Sequence, residues 1–91
     1  MSVIWRASAL ADVERIVSYV SLENPFAAMQ IARELVLAGD SLTVFPYRGR
    51  PGRVPGTREH IVVAPYIIVY DVSETSGISI LRVWHGAQER G

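Results

Sequence analysis

The 91-residue sequence is 49% hydrophobic and 20% charged, carries no net formal charge and has no cysteine. A chain of that length holds one hydrophobic core, so residues 1–91 are read as a single domain, and the composition excludes a disordered chain, a disulfide framework and a thiolate metal site. Zero net charge supplies no global attraction for nucleic acid, no apolar run approaches membrane-spanning length, and Met1 to Arg6 lacks a signal-peptide pattern, so a soluble cytoplasmic protein without a membrane partner is expected.

Val3 to Arg6 alternates apolar with polar or aromatic residues and predicts a short first strand. Ser8 stands where it would cap a helix in which Leu10, Val13, Ile16, Val17 and Val20 form one apolar stripe. Asp12 and Glu14 fall near the start of that helix, where its dipole favours negative charge. Asn24-Pro25 then marks a second helix. Asn is a strong N-cap, and Pro at the first helical position has no N–H to leave unpaired. The core face of this helix is read as Ala28, Ile31, Ala32, Leu35, Ala38 and Leu42, and it must stop before Pro46. The polar link Ser21 to Asn24 is short enough to make the two helices an antiparallel hairpin.

From Tyr47 to Thr57 repeated Gly and Pro deny both a helix and a regular ladder, which predicts a surface loop. All nine basic residues of the chain are arginine. Arg48, Arg50, Arg53 and Arg58 fall within or beside this loop, giving a local basic patch on a protein of zero net charge. Glu59 to Val63, Tyr66 to Val72 and Ile78 to Trp84 are strand-like runs rich in Val, Ile and Tyr. The links Ala64-Pro65 and Glu74 to Gly77 join them as an antiparallel meander. The order is β-α-α-β-β-β, an α+β fold with a helical hairpin packed on one face of an antiparallel sheet.

Tyr66 to Tyr70 is apolar on both faces of its strand, whereas a strand with one solvated face alternates. Two helices cover one face of such a sheet, so the other is expected to display an apolar surface of the kind that marks a partner site. There is no His/Cys/Asp/Glu cluster at ligand spacing and no Gly-rich phosphate cradle between a strand and a helix, so no metal or cofactor is expected.

Taken in order, Asn24-Pro25 with Ala27-Ala28, Phe45-Pro46, Gly49-Arg50, Gly56-Thr57-Arg58-Glu59, Tyr66 to Tyr70 and Leu81-Arg82-Val83-Trp84-His85-Gly86 resemble the RelE/ParE toxins of bacterial type II toxin–antitoxin systems. The resemblance covers nearly the whole chain and implies that family's compact fold. It also implies a cognate antitoxin as partner, with an antitoxin segment over the apolar sheet face and adjoining helical surface.

One branch of that superfamily cuts messenger RNA on the ribosome, and the other, ParE-like, poisons DNA gyrase. Cleavage by 2′-hydroxyl attack needs a base, an acid and cations for the pentavalent phosphate. The ribonucleases commonly carry an Arg at the strand position where this chain has Ile67, and tend to carry a Tyr beyond the last strand, where this sequence has none after His85. The resemblance therefore favours the ParE branch, with gyrase as target and no catalytic residues of its own. The alternative is a metal-independent endoribonuclease using His85 with Arg50, Arg58 or Arg82. A third reading is a chain that has lost toxicity and serves only in antitoxin or operator binding.

Arg48, Arg50, Arg53, Arg58, Arg82, His85 and Arg90 are the expected target- or partner-binding residues. Arg58 and Arg82 have an equal structural reading, as ion-pair partners of Glu59 or Asp71. His60 is read as structural. Tyr66 and Tyr70 have strand spacing and are read as core rather than as a platform for a base. No helix carries the basic face of a recognition helix, so operator DNA binding is expected only through an antitoxin complex.

Overall fold

The computed structural model describes residues 2–86. Its elements are β1 (Val3–Trp5), α1 (Ala7–Ser21), α2 (Pro25–Asp40), a 3-10 turn at Ser41–Thr43, β2 (Arg50–Pro51), β3 (Arg58–Ile61), β4 (Tyr66–Ser73) and β5 (Gly77–His85). The sheet order is β1-β5-β4-β3-β2. β2 to β5 pair antiparallel, and β1 runs parallel to β5 at the sheet edge, with Val3 beside Ile78 and Trp5 beside Ile80. The sheet is thus antiparallel apart from one edge pair. Gly77 makes that edge possible. Its φ is +90°, and a Cβ there would stand 2.5 Å from the Ser2 carbonyl oxygen, which accepts the Ile78 N–H.

The hairpin forms as the sequence predicts. The Asn24 side chain accepts the Ala27 N–H at 3.1 Å, and Pro25 opens α2. Ala28 and Leu35 are buried, Ile31, Ala32 and Ala38 half-buried, and Leu42 is buried from the 3-10 turn that follows. Gly39 is buried too, because the Trp5 ring lies where its Cβ would be. Ala9, Ile16, Leu35 and Leu42 meet Ile68, Tyr70, Ile78, Ile80 and Val83 to form the core. Each large aliphatic side chain buried there contributes on the order of 2 kcal/mol.

Four expectations need correction. Ser8 is not a cap: α1 begins at Ala7 after Arg6, two residues earlier than a Ser8 cap would start it, and the Ser8 hydroxyl donates to the Leu81 carbonyl at 2.7 Å. Leu10 is about half exposed (49%), and Ala9 and Asp12 occupy the buried face instead, so Asp12 is not a surface charge answering the helix dipole. The Tyr47 to Thr57 segment is not wholly without a ladder, since Arg50–Pro51 bridges to Arg58 and Glu59.

The fourth correction concerns the second face of the sheet. Ile67 is 4% and Val69 3% exposed, so β4 is buried on both sides. Their cross-strand neighbours on that face are Trp84, Arg82, Glu59 and Ile61, and long side chains of this kind cover the strand beside them. Exposed apolar groups remain on the sheet at Ile4 and Ile61, each about half exposed, but most lie on the helices, as at Tyr19, Leu22, Phe26, Met29 and Leu37, and along the following loop at Val44, Phe45, Tyr47 and Val54.

Candidate functional site

Two groups of arginines gather around two buried carboxylates. The first group is built on the loop. Tyr70, fully buried on β4, donates its hydroxyl proton to the Pro46 carbonyl at 2.8 Å and accepts the Gly49 N–H at 2.9 Å. One phenol in the core thereby fixes both ends of Pro46 to Gly49. Glu59, 3% exposed, completes the frame. Its carboxylate accepts the Arg53 backbone N–H at 3.1 Å and pairs with the Arg50 guanidinium at 3.3 Å.

Arg58 donates to the Gly49 and Tyr47 carbonyls at 2.7 and 3.2 Å while its guanidinium lies 4.9 Å from the centre of the Tyr47 ring. Arg48 stacks on Phe45 in the same way, at 5.4 Å. Val44 to Arg48 line a shallow apolar depression. Phe45, Tyr47, Arg48, Arg50 and Arg53 are all exposed, so the segment presents cations and aromatic rings side by side. His60 on β3 senses that field. Burial and the nearby Arg48 charge both hold its pKa below the ordinary value.

The second group ties α1 to β5. Asp12 is 1% exposed. It receives Arg82 along two N–H directions at 2.7 and 3.0 Å, the Val83 backbone N–H at 2.9 Å, and Arg15 at 3.0 Å. Burial pushes the Asp12 carboxyl up, but the bonds from Arg82, Val83 and Arg15 outweigh it and hold the group below the usual carboxylate value. Neither the Asp71 nor the Glu59 partner expected for Arg82 is the acid it meets; Asp12 is, while Glu59 pairs with Arg50.

Strand register shows which expected residues share a surface. Arg50 lies opposite Glu59, Glu59 opposite Val69, and Val69 opposite Arg82, so these four form one row across the sheet. Three strand spacings put Arg50 and Arg82 about 14 Å apart along it. Successive strand residues face opposite ways. Arg58 therefore lies on the other face, opposite Tyr70, as does His85, opposite Tyr66. His85 stands edge-on to the Tyr66 ring at 5.5 Å. Arg48, Arg50, Arg53 and Arg58 are brought together by the loop, Arg82 and His85 are divided between the two faces of β5, and Arg90 lies outside the described residues.

Sequence reading placed Tyr70 in the core and Glu59 as an ion-pair acid, as found, but not what Asp12, Glu59 and Tyr70 hold in place. Asp12 had a signal, since it falls in helical step with Ala9 and Ile16 on the buried face. The loop partners of Glu59 and Tyr70 had none, because they lie distant in sequence.

The comparisons agree with this architecture. Residues 3–90 match the sequence model described as "ParE toxin of type II toxin-antitoxin system, parDE". Toxin RelE2 of Caulobacter vibrioides is 40% identical over 86 residues, covering 94% of this chain and 96% of that protein. Toxin RelE1 of the same organism is 33% identical over 92 residues, covering 98% and 97%. Among solved structures, the chromosomal ParDE toxin–antitoxin system from P. aeruginosa superposes with a TM-score of 0.82 at 30% identity, over 93% of this chain and 95% of that one. The chain belongs to the ParE toxin family of type II toxin–antitoxin systems, within the wider RelE/ParE superfamily.

Proposed function

We propose that this toxin acts by binding DNA gyrase and holding it in its DNA-cleaved state, without chemistry of its own, and that an antitoxin encoded beside it keeps it inactive. The division of the arginines and histidine between the two sheet faces carries this reading. A ribonuclease site needs a base, an acid and phosphate cations converging on one phosphate. Arg50 and Arg82 share a face about 14 Å apart with Val69 between them, while Arg58 and His85 lie on the other face. Arg82 is committed to Asp12, and Arg58 to loop carbonyls. The arginine loop, by contrast, is framed from the core and open to solvent, which suits recognition of an acidic surface.

The antitoxin partner is supported by the family and by the likeness to the P. aeruginosa ParDE toxin–antitoxin system. Operator DNA binding then belongs to the toxin–antitoxin complex.

One toxin preparation tested on both substrates decides the target. Gyrase supercoiling is expected to be inhibited, with cleaved DNA accumulating in the presence of ATP, while ribosome-bound messenger stays intact. His85→Gln is expected to leave that inhibition unchanged. Prompt cuts at codon positions, abolished by His85→Gln and with gyrase unaffected, would move the protein to the ribosome-dependent branch that the names of its Caulobacter relatives evoke.

A further inference from the structure

The chain gathers cations in a segment that has no acid of its own. Between Asp40 and Glu59 the sequence carries Arg48, Arg50, Arg53 and Arg58 and no Asp or Glu, on a protein whose formal net charge is zero. Glu59, which closes the segment, is buried and already engaged by the Arg53 N–H and the Arg50 guanidinium. Arg48 makes no ion pair among the described residues. The solvent side of the loop thus shows one sign of charge and attracts anions.

Charge is only half of what the loop presents. Phe45 is 63% and Tyr47 54% exposed, although each has a guanidinium against its ring, Arg48 at 5.4 Å and Arg58 at 4.9 Å. With Val44 these rings border the shallow apolar depression of the loop. Their backbone is fixed from the core, because the Tyr70 hydroxyl holds the Pro46 carbonyl and the Gly49 N–H. A polymer that offers an anion and a flat aromatic face at every unit matches both features, and single-stranded nucleic acid is such a polymer. An acidic protein surface answers the cations and leaves the rings unused. An intact duplex offers phosphates but keeps its base faces stacked inside, whereas a cut one bares the faces of its end bases beside phosphates.

We infer that the Phe45 to Arg53 loop is a contact for DNA itself, stacking Phe45 and Tyr47 on bases bared at a strand break and setting Arg48, Arg50 and Arg53 against the neighbouring phosphates. The inference rests on the gyrase reading above and adds that the anion met by the loop is the DNA that gyrase has cleaved. Arg58, held by the Tyr47 and Gly49 carbonyls, positions the platform.

The experiment is fluorescence anisotropy of a short labelled oligothymidylate titrated with full-length toxin, separated from its antitoxin, at stepped potassium chloride concentrations. An abasic oligonucleotide of the same length, an oligouridylate and an intact blunt duplex serve as competitors. Contact with about three phosphates of a single strand gives a slope of about −2 for log affinity against log salt. Arg48→Gln is expected to flatten that slope by about 0.7. Tyr47→Leu is expected to weaken binding about 10-fold at every salt concentration with the slope unchanged, and Tyr47→Phe to restore it. The abasic strand should compete about 10-fold less well than the base-bearing one, which tests stacking without altering the protein. Gyrase inhibition should fall with Arg48→Gln and Tyr47→Leu while thermal melts stay near wild type, since both positions are exposed. If wild-type toxin leaves every oligonucleotide unbound yet binds DNA-free gyrase and inhibits it, the loop meets protein: the inference is overturned and the gyrase reading stands. Equal binding by wild type and loop variants, or equal competition by the abasic strand or the intact duplex, overturns it as well. Preference for oligouridylate would assign the loop to RNA, with the same result. If the oligothymidylate binds as expected but gyrase is neither bound nor inhibited, the DNA contact holds and the gyrase reading fails.

Discussion

The two buried carboxylates use arginine in opposite ways. Asp12 meets Arg82 along two N–H directions and also takes the Val83 backbone N–H, so helix, strand backbone and guanidinium are joined at one point. Glu59 takes the Arg53 backbone N–H and a longer contact from Arg50, whose side chain stays 49% exposed. Around Asp12 the cation completes the fold. Around Glu59 the carboxylate shapes a loop backbone and leaves cations facing water. Arginine identity therefore does not mark a binding surface; what the nearby acid holds, side chain or backbone, separates a structural arginine from a presented one.

The sharpest way to break this contrast is Asp12→Asn. The change leaves shape almost intact but removes the charge that Arg82 needs and sets an amide where four N–H donors converge. Loss of about 3 kcal/mol is expected, measured by urea denaturation of toxin separated from its antitoxin. A loss below about 1 kcal/mol would mean that Arg82, 41% exposed at its side chain, is solvated well enough to do without the acid.

Glu59→Gln should behave differently. The amide oxygen still accepts the Arg53 N–H, and Arg50 is already half in water, so a stability loss of about 1 kcal/mol is expected. On the proposed gyrase target, inhibition should fall by more than that loss accounts for, because the loop that carries Arg48, Arg50 and Arg53 loses its anchor. Inhibition tracking stability alone would place the target contact outside this loop.

The same contrast explains what the sequence disclosed. Asn24-Pro25, the α2 core face from Ala28 to Ala38 and the strands from Tyr66 and Ile78 are local signals, written within a few residues of where they act, and all appear in the structure, whereas the Glu59 to Val63 run forms a strand only over Arg58–Ile61. Arg48 to Arg58 could be read as a basic patch for the same reason. Arg82 could not be resolved between ion pair and phosphate ligand, because its partner lies 70 residues away on α1. The expected apolar sheet face is present, among the described residues, only at Ile4 and Ile61, near the sheet's edges: alternation shows that β4 is apolar on both sides, yet it does not show that Trp84, Arg82 and Glu59 stand across from Ile67 and Val69. Most of the exposed apolar surface lies elsewhere, on the helices and along the loop.

The smallest effect separates the two regions along the pH axis. His60 lies beside the loop, and burial together with Arg48 lowers its pKa, so the folded protein resists the proton that the unfolded chain takes up at about pH 6.5. Below that pH the unfolded state binds more protons, and stability must fall as pH drops towards the lowered folded pKa. Asp12 works in another range. Its pKa is lowered beneath 3.8, so its contribution is present above that value and is lost only as pH falls through the lower folded pKa. Unfolding free energy followed from pH 7.5 downwards should therefore show a shallow decline beginning near pH 6.5, of at most one proton in slope, well before the acid collapse of the Asp12 latch. His60→Gln should flatten the first decline and leave the second in place, whereas Arg48→Gln should only reduce the first, since burial of the ring remains. A decline near pH 6.5 that persists unchanged in His60→Gln would mean that His60 is not its source, and would remove the loop from the account of how this protein responds to mild acid.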